Sequence, residues 1–410
     1  MGIFILLLFI GEVCFLVRSD KKRWGTLMTP FSLLALTFTG VTIIAILYSY
    51  LLKDVKDFYL PSLIVWAIGL VVFYFPSRFF AVKKIAKSDC MELRLAKKDD
   101  MYNWLFIIAM IGVSLGLLKV RSLGVQYDFG SDEFGEGFGS GGLLVHISML
   151  LTGLFAYFVC KLDKNHKLAL IPMALILVIM FAQASKTRTL SPLLMGLFAA
   201  VFCGKMKVSV RTIVFMIFAA SSFFFLAYYF SLVTTGIIDD SNEFWEFISM
   251  HFLNYFLGGT LSFSLDYKAG ILEPNMTSVL VDPFLTVIYK LFGWDSGAVI
   301  DNPKMLDMGL LGSTNVRTFF GTMYAYSKSY LVMINISFFL SLFIHYIYYK
   351  ARTTRNIFLV IASCSNLTYL VFGGFFDFYW IRIYPYEIVV IFIVLYFISK
   401  STINVSAKEV

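Results

Sequence analysis

Apolar residues along this chain fall into eleven runs separated by shorter polar stretches, at approximately 2–17, 26–52, 60–80, 101–118, 141–160, 168–184, 190–204, 213–233, 330–349, 356–376 and 383–399. A helix needs ~20 mostly apolar residues to cross the hydrocarbon core of a bilayer, so each run predicts a spanning helix. The pattern breaks once, at residues 234–329. The chain therefore reads as an all-α polytopic membrane protein of about eleven transmembrane helices. Eight helices occupy 1–233, an outer segment occupies 234–329, and three helices and a cytoplasmic tail occupy 330–410. Residues 2–17 have no basic stretch before them and no small-residue cleavage site after them, so they read as the first span rather than a leader.

Composition agrees with this pattern. The chain is 59% hydrophobic and 15% charged, against roughly 25% charged in an ordinary soluble domain. The net charge of +8 raises the question of nucleic acid. The basic residues sit in short loops between apolar runs, however, and such loops collect on the cytoplasmic side. With the N-terminus outside, the inner loops near 18–25, 78–100, 161–167, 205–212, 350–355 and 400–410 hold 22 of the 34 Lys and Arg. The longer outer stretches and the spans share 12. The charge thus sets the orientation, with the C-terminus inside, and argues against nucleic acid as a partner. Cys14, Cys90, Cys160, Cys203 and Cys364 all fall in inner loops or helices, so no external disulfide framework is expected. There is no internal repeat of the kind that marks many carriers.

The outer stretches hold the candidate chemistry. The 124–142 loop, GVQYDFGSDEFGEGFGSGG, mixes Gly with Asp128, Asp132, Glu133 and Glu136. It reads either as a flexible connector or as a lid with a weak divalent-cation site, and its spacing is not that of an EF-hand. The turn at 185–189, SKTRT, puts Lys186 and Arg188 at the lipid boundary. There a cation either anchors the helix or grips an anionic headgroup. The long segment opens with Asp239, Asp240, Glu243 and Glu246. It continues as two amphipathic pieces, Phe244–Phe263 (which contains His251) and Val281–Phe292. Such pieces can lie in the membrane interface without spanning. The segment ends in GLLGSTNVRTFFGTMYAYSKSY, where Arg317 stands among Thr, Phe and Tyr just before a span. A guanidinium there needs an anionic partner: either a ligand, or Asp307, Asp301 or Asp377 in a structural ion pair. A last outer stretch, 375–387, sets Asp377, Arg382 and Glu387 among aromatic residues that include Trp380.

These features together resemble the bacterial oligosaccharide repeat-unit polymerases, the Wzy or O-antigen and capsule polymerase family. The likeness rests on many spans with one long late outer loop, on the basic turn Ala184-Ser185-Lys186-Thr187-Arg188, and on the lead-in Asn315-Val316-Arg317-Thr318-Phe319-Phe320-Gly321-Thr322 before the next span. It covers most of the chain as architecture and about fifteen residues as motif. One departure stands out. Many members carry an aromatic residue where Arg317 stands, and an acidic residue where this chain reads Tyr324-Ala325-Tyr326-Ser327.

The resemblance implies a GT-C-like membrane glycosyltransferase in the bacterial cytoplasmic (inner) membrane. Its donor would be a growing glycan on undecaprenyl diphosphate, and its acceptor a single repeat unit on the same lipid. A flippase and a chain-length regulator are implied as partners, alongside membrane lipid. The departing diphosphate calls for preorganised cations, for which Arg188, Arg317 and Arg382 are candidates, with Lys186 and Lys304 secondary. The acceptor hydroxyl calls for a base, with His251, Asp377 and Asp266 as candidates. Tyr324 and Trp380 are candidates to hold the glycan. No cofactor or metal is required, because arginines can perform the electrostatic work. Arg317→Ala is expected to leave the chain inserted and abolish polymer. An O-antigen-type ligase shares this chemistry and layout. A lipid-linked oligosaccharide flippase or other transporter would instead carry charges deep in several spans.

Overall fold

The computed structural model describes residues 2–80, 101–127, 143–163, 166–183, 186–207, 241–272, 304–375 and 384–406, with a few single positions between them. The helices are α1 (Gly2–Trp24), α2 (Pro30–Leu51), α3 (Leu63–Tyr74), α4 (Ser77–Phe80), α5 (Met101–Gly124), α6 (Leu143–Lys161), α7 (Leu170–Ala182) and α8 (Lys186–Phe202). They continue as α9 (Ser241–Lys268), α10 (Phe319–Ser327), α11 (Tyr330–Thr354), α12 (Ile357–Gly373) and α13 (Tyr384–Ser406). One antiparallel hairpin, β1 (Leu306–Asp307) with β2 (Ser313–Thr314), lies between α9 and α10.

Among the described residues, six helices are long and apolar enough to cross a membrane: Gly2–Trp24, Pro30–Leu51, Leu60–Phe80, Met101–Gly124, Leu143–Lys161 and Tyr330–Thr354. Shorter apolar helices cover Lys167–Ala182, Arg188–Phe202, Ile357–Gly373 and Pro385–Ser399. The chain is an all-α multi-pass membrane protein. The predicted span at 213–233 falls almost wholly outside the described residues, as do most of the acidic 124–142 loop and the piece Val281–Phe292.

The chain divides into two compact units. The first comprises Met1–Ala86, Ser249–Tyr349 and Tyr369–Ile383. In it α1 packs on both α2 and α3, and α10 packs on α3. The start of α2 is well specified. Pro30 occupies the first turn, where no N–H donor is needed, and the Thr29 hydroxyl accepts the Ser32 N–H at 3.0 Å. The Thr29 and Ser32 hydroxyls both donate to the buried Asp20 of α1, which ties the end of one helix to the start of the next.

Trp66 of α3 organises the centre of this unit. Its ring stacks parallel on Phe38 and meets the edge of Phe320 at 4.9 Å. Its indole N–H donates to the Thr318 hydroxyl at 2.8 Å, so the one polar atom of a buried Trp finds a partner. Gly69 leaves the space that the Phe320 ring fills. The motif around Thr318-Phe319-Phe320 is therefore a packing motif. It seats α10, whose nine residues span about 14 Å, too short to cross a bilayer.

The second unit comprises Lys87–Ile248, Lys350–Thr368 and Tyr384–Val410. Here α6 is central and packs against α5, α7, α8 and α13. Gly153 of α6 lies directly beneath the Phe392 ring of α13. Small residues permit close helix approach where apolar burial alone provides no drive between helices. The thiols of Cys14, Cys160, Cys203 and Cys364 are all free.

Candidate functional site

In the first unit, the stretch 304–318 that leads into α10 is a built structure. Gly309, at φ +76°, carries the chain through the turn of the β1–β2 hairpin, and its α-carbon faces the Asp54 carbonyl so closely that no side chain fits. Val55 bridges to Gly309, Lys56 N–H donates to the Met308 carbonyl at 3.1 Å, and Leu310 N–H donates to the Asp54 carbonyl at 2.8 Å. The Lys56 ammonium and Asp307 carboxylate, both exposed, meet at 2.7 Å. That contact, with the Gly309 N–H, holds the Asp307 carboxyl below its ordinary range. The loop between α2 and α3 and the hairpin thus form one clasp.

Helix α9 grips the chain that leaves this clasp. Asn254, Gly258, Ser262 and Asp266 recur every four residues, which places them on one inclined ridge of the helix. The Asn254 amide donates to the Leu311 carbonyl at 2.5 Å and to the Ser313 carbonyl at 3.3 Å. Gly258 faces Thr314 and Met308. The Ser262 hydroxyl donates to the Val316 carbonyl at 2.5 Å. Asp266 Oδ2 accepts from Arg317 Nε at 3.1 Å. Four successive turns of helix therefore hold residues 311–317 in order. Gly259, next on the helix, lets its backbone approach the carbonyls of Arg317 and Phe375.

The Arg317–Asp266 pair is buried, with 1% and 0% of the two side chains exposed. Arg317 also donates to the Val316 carbonyl at 3.3 Å and the Lys304 carbonyl at 3.4 Å. Asp266 Oδ1 accepts the Leu272 N–H at 2.9 Å, closing the turn after α9. Arg317 thus has an internal anion, and it is Asp266 rather than Asp307. Asp301 and Asp377, the other partners considered from sequence, lie outside the described residues. Within Phe244–Phe263, residues 245–247 are exposed, 250–256 half-buried and 257–263 buried.

His251 is half-buried and meets the Tyr255 ring edge-on at 4.9 Å, one turn along the helix. Lys304 is exposed, and its carbonyl accepts from Arg317. Tyr324 is half-buried near the end of α10. Asp377, Trp380 and Arg382 lie outside the described residues, as does the Lys186 side chain.

Arg188 belongs to the second unit, at the start of α8. It is half-buried, and Nη1 donates to Gln183 Oε1 at 2.9 Å. Gln183 is 1% exposed, and its amide nitrogen donates to Ser148 Oγ of α6 at 3.0 Å. The Thr189 hydroxyl pins the same turn through the Met180 carbonyl at 3.1 Å. Pro192 has no N–H to offer the Arg188 carbonyl four residues earlier. A guanidinium is thus oriented near the start of α8 by a buried amide–hydroxyl relay. Sequence reading reached Arg188 but not Gln183 or Ser148, which look like ordinary polar residues in apolar runs. Among the described residues, no group of three His, Cys, Asp or Glu side chains is placed to hold a metal.

The fold and these sites define a multi-pass membrane protein with a structured segment between its helices. A family described only as a family of unknown function (DUF6337) matches residues 54–405, and the chain belongs to it. No curated protein matches the chain, and no solved structure does.

Proposed function

We propose that this protein is a membrane-embedded glycosyltransferase that polymerises undecaprenyl-diphosphate-linked oligosaccharide repeat units on the outer face of the bacterial cytoplasmic membrane. The proposed arrangement has about eleven spans in a GT-C-like layout, with the N-terminus outside. The observation that carries this reading is Arg188, held through Gln183 and Ser148 near the start of α8. A fixed guanidinium suits a diphosphate because it matches phosphate oxygens bidentately and needs no reorganisation as charge develops. The distribution of charge adds support, since Lys and Arg gather in the loops and at helix ends.

In the proposed reaction, the acceptor hydroxyl oxygen attacks the anomeric carbon of the donor glycan. The bond from that carbon to the diphosphate oxygen breaks, and undecaprenyl diphosphate leaves with the electron pair. The hydroxyl proton passes to a base. Asp266 already directs both oxygens to Arg317 and Leu272, which leaves His251 and Asp377 as candidates. Arg317 becomes a positioning residue that holds the returning segment. Arg188 is assigned the diphosphate.

Deleting the gene in its host, then restoring it as wild type or Arg188→Ala, tests the reading through the glycan size ladder. A polymerase predicts single repeat units at the surface for both the deletion and Arg188→Ala. Finished glycan stranded on its carrier lipid would indicate a ligase, and repeat units retained inside the cell would indicate a flippase. Either result overturns the proposal.

A further inference from the structure

Four tyrosines from four stretches of the first unit converge beside the clasp. Tyr59 follows the Lys56 loop, Tyr267 adjoins Asp266 near the end of α9, Tyr324 lies in the last turn of α10 and Tyr330 begins α11. The Tyr267 ring is the hub. It lies 6.3 Å from Tyr59, 5.8 Å from Tyr324 and 6.1 Å from Phe263. Tyr324 and Tyr330 are 4.6 Å apart, and the hydroxyls of Tyr267 and Tyr330 meet at 3.1 Å.

The rings are held in place by backbone contacts. Tyr59 N–H donates to the Ser264 hydroxyl of α9 at 3.4 Å. Lys328, in the left-handed conformation at φ +50°, ends α10, and its N–H donates to the Tyr324 carbonyl at 2.7 Å. The Ser327 hydroxyl bonds across the same turn to the Ser329 carbonyl at 3.2 Å. This turn sets Tyr324 against Tyr330.

All four rings are half-buried rather than enclosed. An interfacial aromatic belt spreads tyrosines around the girdle of a protein. Here they gather at one place, and the hydroxyls of Tyr267 and Tyr330 meet. Fixed tyrosines offer a broad apolar face and a polar edge at low entropic cost. That combination complements a pyranose ring, which has C–H groups on its faces and hydroxyls at its rim.

We infer that Tyr59, Tyr267, Tyr324 and Tyr330 form a saccharide-binding platform that stacks a neutral pyranose unit of the glycan. This inference deepens the proposed function and rests on its premise that the chain handles a glycan.

The test titrates the full chain in lipid nanodiscs with repeat-unit oligosaccharide, released by mild acid from the lipid fraction of host cells lacking the gene. Saturable binding is expected for wild type, weakened roughly tenfold when Tyr324→Ala and Tyr330→Ala remove two ring faces. Tyr324→Phe with Tyr330→Phe keeps the rings, should fold as wild type, and should weaken binding by about threefold through the lost hydroxyl bonds. No binding by wild type, or wild-type affinity in both tyrosine double variants, would overturn the platform. Failure of the polymerase reading would appear instead in the size ladder of the deletion strain, whatever this titration returns.

Discussion

Removing the Arg317 guanidinium should destabilise the protein before it affects any chemistry. Arg317→Ala leaves Asp266, whose side chain is 0% exposed, with an uncompensated buried charge. It also strips two donors from the carbonyls of Val316 and Lys304. Breaking one side of a buried pair costs about 3–5 kcal/mol, or roughly a hundredfold to a thousandfold or more in the folded-to-unfolded ratio. Asp266→Asn should cost a similar amount, because the guanidinium then lacks its anion. The double variant Arg317→Ala with Asp266→Asn should recover about 1–3 kcal/mol relative to the sum of the singles, because neither charge remains buried alone. The assay is unfolding of the purified full chain in detergent, followed by tryptophan fluorescence. A wild-type unfolding midpoint for Arg317→Ala, or strict additivity of the two singles, would refute the reasoning. On this account the loss of polymer expected for Arg317→Ala comes with reduced protein abundance, which a membrane-fraction immunoblot would reveal.

Other outcomes follow from the same geometry. Arg188→Ala should lower polymer formation by about a hundredfold, with about 1–3 kcal/mol of stability lost where the buried Gln183 Oε1 loses its donor, and Arg188→Lys should restore only part of the activity because it lacks the planar fork. Gly259→Val should fail to accumulate in the membrane, because its Cβ would overlap the Phe375 carbonyl; normal abundance on an immunoblot would contradict that packing. The Asp307 carboxyl is held low by Lys56. The clasp's contribution is therefore fully present above the ordinary carboxylate range and lost only as pH falls through the depressed value. Hydrogen exchange at residues 304–314 should stay slow at pH 5 in wild type, and Lys56→Ala should speed it without moving the global midpoint.

The apolar runs made the helices legible because a 1.5 Å rise per residue and a fixed bilayer thickness leave little freedom in their length. Ten of the eleven runs coincide with described apolar helices, six of them long enough to cross a membrane. The short helix α10 was harder to read, because it is as apolar as a span but is seated by Trp66 from more than 200 positions away. Arg317 stood out as a guanidinium in need of an anion. Its partner did not, because Asp266 is 51 positions earlier and looked like one acid among several. The four-residue ridge Asn254–Gly258–Ser262–Asp266 is visible in the sequence, yet what it grips is decided by the hairpin. Gln183 carried no charge to draw notice, although it fixes Arg188. Tertiary pairing of small polar groups leaves little periodic trace, and this site is built largely from such groups.

The most direct measurement is reconstitution. The purified full chain in proteoliposomes, supplied with undecaprenyl-diphosphate-linked repeat units extracted from host cells lacking the gene, should generate a glycan ladder and release free undecaprenyl diphosphate. Arg188→Ala should give neither. Repeat units left at single length, with no diphosphate lipid released by well-folded wild-type protein, would contradict the assignment of this membrane protein as a polymerase.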